Sequence, residues 1–205
     1  EEIELYVVHV RPDDAKIPAL TPRLADKREG DRVYLGPKMA GRYTLDPVID
    51  PFSDVVFLAT GTGEAPHNAM ITELLRKGHG GTIMSVVGVR RLIDLAYTDT
   101  HKRLMSRFPN YRHVALPTRE PGMPKRYLQD FVASGDLAEL LPHRLDPEHT
   151  HVFLCGNPSM IGLPAWYGDT PTFPTEPGVV GHLHARGFTI DRRGTVGNVH
   201  YEEYW

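Results

Sequence analysis

Val55-Val56-Phe57-Leu58-Ala59-Thr60-Gly61-Thr62-Gly63-Glu64-Ala65-Pro66 is the stretch on which the fold turns. An unbroken apolar run suits a strand covered on both faces, as in a parallel sheet, whereas a half-exposed strand would alternate. The run ends in a glycine-rich turn. Beyond it, residues 66–77 place Ala69, Met70, Leu74 and Leu75 at helical spacing. Strand, tight turn and helix in that order predict the first half of a crossover unit.

The same rhythm continues downstream. Residues 82–89 read as a second strand, 91–108 as a helix with an irregularity near Tyr97, and 111–116 as a third strand. A helix over 126–133, a fourth strand over 151–155 and a helix over 179–186 follow. Alternating strands and helices predict an α/β domain, a doubly wound parallel sheet, over residues 51–205. Residues 162–178, rich in Pro, Gly and Thr, read as a surface loop.

Upstream, the pattern is β-rich and broken. Residues 3–10 read as a strand, 20–25 as a single helical turn, Gly30-Asp31 as a turn, and 32–35 and 42–45 as short strands. A piece of this size, residues 1–50, buries too little surface to offset its chain entropy alone.

Composition excludes several classes. The 205 residues carry a formal net charge of -3 with no long single-sign run, which gives nucleic acid no obvious footing. No apolar stretch approaches the ~20 residues needed to cross a bilayer. The only cysteine is Cys155, so no intramolecular disulfide forms, and with no charged-then-apolar leader a cytoplasmic protein is expected. The pairs His149/His151 and His182/His184 have no carboxylate or thiolate placed to complete a zinc set, so no metal is expected. There is no G-x-S-x-G elbow, which argues against a hydrolase.

The residues that can carry chemistry cluster at predicted strand ends, where ligands of parallel sheets collect. In the Thr60-Gly61-Thr62-Gly63 turn, glycines let the backbone approach a phosphate, and free N–H groups at the helix start favour an anion. Pro66 stands where the common dinucleotide fingerprint has its last glycine, so the turn alone also suits a plain strand-to-helix loop. Thr118-Arg119-Glu120 follows the third strand and Lys125-Arg126-Tyr127-Leu128-Gln129 opens the next helix. Arginine gives bidentate bonds to phosphate, lysine a point charge, and tyrosine a ring that stacks on adenine. Together they describe a pocket for the 2'-phosphate that separates NADP from NAD, with Arg90 and Arg91 adding charge; solvated helix-face charges are the alternative. Cys155 and Gly156 end the fourth strand, where Cys155 could abut a nicotinamide and Gly156 leave room for it. Trp205, at an aromatic C-terminus, could stack on a flat ring or cap an apolar patch.

The order Gly61-Thr62-Gly63-x-x-Pro66, Thr118-Arg119-Glu120, Lys125-x-Tyr127-Leu128-Gln129, Cys155-Gly156 and a terminal aromatic resembles the ferredoxin-NADP reductase family. The resemblance implies FAD and NADP as cofactors and ferredoxin or flavodoxin as partner, or an oxygenase component instead. It implies that the Gly-Thr-Gly turn meets the NADP pyrophosphate and nicotinamide, with Thr62 also approaching the flavin. Thr118 (in place of the family's serine), Arg119, Lys125, Tyr127 and Gln129 would hold the 2'-phosphate, and Arg90 matches an arginine with that role in bacterial members. Cys155 would lie beside the hydride-transfer position, and Trp205 would stack on the isoalloxazine and move aside for nicotinamide. Residues 4–10, with Tyr6 and Val8, resemble the strand flanking FAD, and Leu20-Thr21 a loop on its pyrophosphate. Residues 1–50 would then be part of the antiparallel FAD-binding β-barrel, whose earlier strands and Arg-x-Tyr-Ser motif would lie ahead of Glu1. A module that binds NADP without flavin or turnover is the other reading of so shortened a chain.

Overall fold

The computed structural model describes residues 3–8, 20–38 and 41–204. The chain divides into two compact units, one ending at Arg42 and the other starting at Tyr43.

Within the first unit, α1 (Thr21–Ala25) starts with Pro22 in its first turn, where the missing N–H costs nothing. Gly30 adopts a left-handed φ of +91°, which makes the turn expected there. Strands were expected over 3–10 and 32–35, and neither is one in the structure: described residues 3–8 and 32–35 pair with no ladder. A strand is stabilised by its neighbours, and β-branched content alone does not make one. Residues 9 and 10 lie outside the described residues. The strand expected over 42–45 is likewise absent. Instead Tyr43, Leu45 and Val48 pack against the core of the second unit, which is why the division falls at Arg42 rather than near residue 50.

The second unit is built on a five-stranded parallel sheet in which residues 111–117, 83–89, 54–60, 150–156 and 199–203 lie side by side in that order. Its strands are β1 (Asp54–Thr60), β2 (Ile83–Val89), β3 (Tyr111–Pro117), β4 (Thr150–Gly156) and β7 (Val199–Glu203). Side chains of β1 alternate between two cores. Val55 and Phe57 face α2 (Glu64–Arg76) and its Met70, Ile71, Leu74 and Leu75. Each such side chain, fully buried, contributes about 1.5–3 kcal/mol. Val56 and Leu58 face the other side, against α4 (Leu128–Ala133), α5 (Asp136–Glu139), α6 (Pro158–Ile161) and α7 (Val179–His184). Helices on both faces make the sheet doubly wound, as expected. The irregularity near Tyr97 is real: a 3-10 turn over Leu92–Asp94 precedes α3 (Thr98–Arg107).

Two elements were not foreseen. β7 extends the sheet edge by pairing parallel with β4. Part of the expected surface loop is a ribbon, β5 (Ala165–Tyr167) with β6 (Thr170–Thr172), closed by Gly168-Asp169 with Gly168 at φ +61°. Two-residue turns with a left-handed glycine match strand twist. Arg192 fastens the ribbon, pairing with Asp169 at 2.5 Å and lying 4.8 Å over the Trp166 ring.

Candidate functional site

The chain runs from β1 outward to β2 and β3, then returns to place β4 on the other side of β1. The switch point is therefore the crevice beyond the carboxyl ends of β1 and β4, where open α/β sheets take their ligands. Its walls are Thr60-Gly61-Thr62-Gly63 on one side and Cys155-Gly156-Asn157 on the other.

The two walls are tightly joined. Thr60 Oγ1 accepts the Asn157 N–H at 2.8 Å. A side-chain carbon at Gly156, whose φ is +133°, would fall 2.1 Å from that same Oγ1, and one at Gly63 would fall 2.2 Å from the Cys155 carbonyl oxygen. Gly156 thus has a packing reason to be glycine, beside the room expected for a ring. Gly61 is different: at φ +55° it faces open space, with nothing within 4 Å of an added carbon. The turn over Gly61–Gly63 is 3-10 and starts without a side-chain cap, so the N–H groups of the turn are left for an anion, while the Glu64 N–H closes back on the Gly61 and Thr62 carbonyls. Pro66 lies third in α2, still within the first turn, where an N–H has no helical partner anyway.

Arg90 and Arg119 converge at the ends of β2 and β3. The Arg119 N–H donates to the Arg90 carbonyl at 2.7 Å, and Thr118 donates through both N–H (2.9 Å) and Oγ1 (3.1 Å) to the Val89 carbonyl. Arg91 follows, its N–H held by Asp94 at 2.9 Å. Helix α4 begins at Leu128, two residues later than the sequence suggested, so Lys125 and Tyr127 lie in the approach to it, with Lys125 Nζ 4.8 Å over the Tyr127 ring. Leu128 packs 3.3 Å from where a Gly88 side-chain carbon would stand, which brings the start of α4 to the β2 end. Gln129, in the first turn of α4, is half-buried. None of the ion pairs among the described residues takes up Arg90, Arg91, Arg119 or Lys125. Arg126, by contrast, pairs with Asp136 and lies over Phe131, serving the fold.

Cys155 is fully buried, and burial pushes its thiol up to about 12, opposed by a hydrogen bond with Tyr204. It is a neutral thiol at the crevice wall. Tyr204 is fixed there by its N–H to the Gly156 carbonyl at 2.9 Å. Trp205 lies outside the described residues. In the first unit, Leu20 precedes α1 and Thr21 opens it; Tyr6 is half-buried, while Val8 and Leu20 are exposed.

Sequence reasoning missed a buried polar cluster directly behind the glycine turn. Glu64, the first residue of α2, bonds His101 of α3 through Nε2 at 2.5 Å, and His101 Nδ1 bonds the Tyr111 hydroxyl at 2.7 Å. The His113 ring stacks on His101 at 3.8 Å, with Nδ1 3.2 Å from Ser85 Oγ. His67, also in α2, bonds the Tyr43 hydroxyl at 2.6 Å and is held by burial at about 3, so its ring is neutral. The available signal was a glutamate and a histidine, Glu64 and His67, on the helix positions that face the sheet.

An open parallel sheet with a glycine turn and uncapped helix at its switch point defines an α/β dinucleotide-binding class of domain. The chain belongs to the oxidoreductase NAD-binding domain family, whose model matches residues 57–163, just over half of it. A flavodoxin/ferredoxin-NADP reductase of Shigella flexneri is 29% identical over 163 residues, covering 78% of this chain and 63% of that protein. A ferredoxin-NADP reductase of Pseudomonas aeruginosa is 29% identical over 169 residues, covering 76% and 64%. The chain thus spans a little under two thirds of the length of these relatives. Among solved structures, a ferredoxin NADP+ reductase from Neisseria gonorrhoeae with bound FAD and NADP superposes with a TM-score of 0.73 at 20% identity, over 92% of this chain and 70% of that one. Among the described residues no helix is long and apolar enough to cross a membrane.

Proposed function

We propose that the second unit is the NADP-binding half of a ferredoxin-NADP reductase-type flavoenzyme that moves electrons between NADP(H), FAD and a small carrier protein in a cytoplasmic setting. The observation that carries this reading is a glycine turn without a side-chain cap at the switch point, with Arg119 bonded through its N–H to the Arg90 carbonyl at the neighbouring strand ends and neither arginine ion-paired among the described residues. The pyrophosphate would lie on the N–H groups of residues 61–63. The 2'-phosphate would sit among Thr118, Arg119, Lys125 and Gln129, with Arg90 and Arg91 at its edge and Tyr127 stacked on the adenine.

The open space over Gly61 fits a phosphate approaching the backbone. Cys155 would border the nicotinamide as a neutral, water-excluding wall, positioned by Gly63 behind it and Tyr204 above it. Thr62 would face both rings, and Trp205 would cover the flavin. A bound flavin would convert between a two-electron hydride and single electrons. For that group, Tyr6, Val8, Leu20 and Thr21 are the proposed contacts, on described residues of the first unit that form no sheet. The carrier would be ferredoxin or flavodoxin, the partners named for the relatives, or an oxygenase component.

The missing ladder in residues 3–8 and 32–35 favours a second reading, an NADP-binding module without turnover. An absorption spectrum of the purified chain with added FAD, followed by anaerobic NADPH, separates the two. Retained flavin that bleaches supports the reductase; NADP+ binding without retained flavin supports the module. Binding of neither overturns both.

A further inference from the structure

We infer that Glu64, His101 and His113 form a binding site for a divalent transition metal ion of the zinc class. One ligand atom from each lies within 4.8 Å of the others, the one such group among the described residues. Three points so spaced have a centre no more than ~2.8 Å from each; reaching the ~2.0–2.2 Å of zinc–imidazole and zinc–carboxylate bonds brings His113 inward by under about 1 Å and parts Glu64 Oε1 from His101 Nε2, now 2.5 Å apart, to the ~3.4 Å between ligands of a tetrahedral ion.

The surroundings also have the outer partners of a metal centre. Both imidazoles are held at Nδ1 by a hydroxyl, His101 by Tyr111 at 2.7 Å and His113 by Ser85 at 3.2 Å. Such outer partners fix the ring and leave Nε2 for the metal. His101 already directs its Nε2 at Glu64. His113 is stacked parallel to His101, so its ring must swing to converge; it is half-buried and carries the longer of the two hydroxyl contacts, which makes it the ligand able to do so. Glu64 and His101 are each 1% exposed. A carboxylate so deep needs a hydrogen-bonded or charged partner; His101 is that partner in this structure, and a divalent cation would take over the role with one position left for water or a fourth ligand.

The ligands come from the first residue of α2, from α3 and from β3, so the ion would clamp both helices to the sheet directly behind the Gly61–Gly63 turn. The site uses none of the residues assigned to NADP, and neither reading depends on the other.

The test is calorimetric titration of the chelator-treated chain with Zn(II), alongside Co(II) absorption and thermal unfolding. The expected result is one equivalent bound, tetrahedral Co(II) bands, a rise in Tm with Zn(II), and affinity lowered at least about 100-fold in Glu64→Gln and in His113→Gln. Tyr111→Phe, which keeps the ring and its packing, should weaken binding by about 10–100-fold, as removal of a ligand's hydrogen-bond partner does. If the chain takes up no Zn(II) at micromolar concentration, or binds it as tightly in folded Glu64→Gln and Tyr111→Phe as in the parent, the site is refuted.

Discussion

The α-carbon of Gly63 is pressed against the Cys155 main chain: a side-chain carbon there would stand 2.2 Å from the carbonyl oxygen and 2.6 Å from the carbonyl carbon. Backbone meets backbone across the switch point, so neither side can yield by a rotamer change.

Gly63→Ala should therefore force the turn away from β4 and cost about 2–3 kcal/mol, the upper part of the usual range for overpacking. Gly61→Ala, in open space but at φ +55°, should cost about 1 kcal/mol from backbone conformation alone. Urea unfolding of the two variants measures the difference. Equal stabilities would contradict the packing described.

How much of this arrangement could be read in the sequence depends on whether the signal was local. The unbroken run at 55–59 and the glycine turn gave strand, turn and helix correctly, because burial on both faces leaves a local signature. Val199–Glu203 carries a short, part-polar pattern and becomes a strand only because β4 offers it an edge. The converse holds for residues 3–8 and 32–35, which have strand composition without partners. Gly168-Asp169, flanked by Tyr167 and Thr170, was a legible hairpin signal hidden by its Pro-rich setting. Among candidate site residues, Arg90 and Arg119 could be grouped because they end adjacent strands. Glu64, His101 and His113 are far apart in sequence and meet only through the packing of α2 and α3 on the sheet.

The Cys155 thiol, raised to about 12 by burial, should be inert in the folded protein. Iodoacetamide at pH 8 should leave native protein unlabelled while the urea-unfolded chain reacts, as followed by mass spectrometry. Rapid labelling of the native chain would contradict a buried neutral thiol.

His67 sets a pH dependence. Its folded value is about 3 against an ordinary 6.5, because burial disfavours the charged ring. Between these values the unfolded chain binds a proton that the folded chain does not. Its contribution is therefore fully present above pH 6.5 and is lost as pH falls toward 3. From pH 7 to pH 5 the loss from this one group is about 2 kcal/mol. His67→Phe should flatten the fall in unfolding free energy over that interval by a similar amount; an unchanged slope would show that His67 titrates normally.

The measurement that bears most directly on the proposed function is the affinity of the parent chain and of Arg119→Ala for NADP+ and NAD+. If Arg119 holds the 2'-phosphate, the variant should lose at least about tenfold in NADP+ affinity, or about 1.4 kcal/mol, and less than about twofold for NAD+. Equal losses for the two nucleotides, or no loss for either, would contradict the placement of the phosphate at Arg119 and with it the NADP reading of this site.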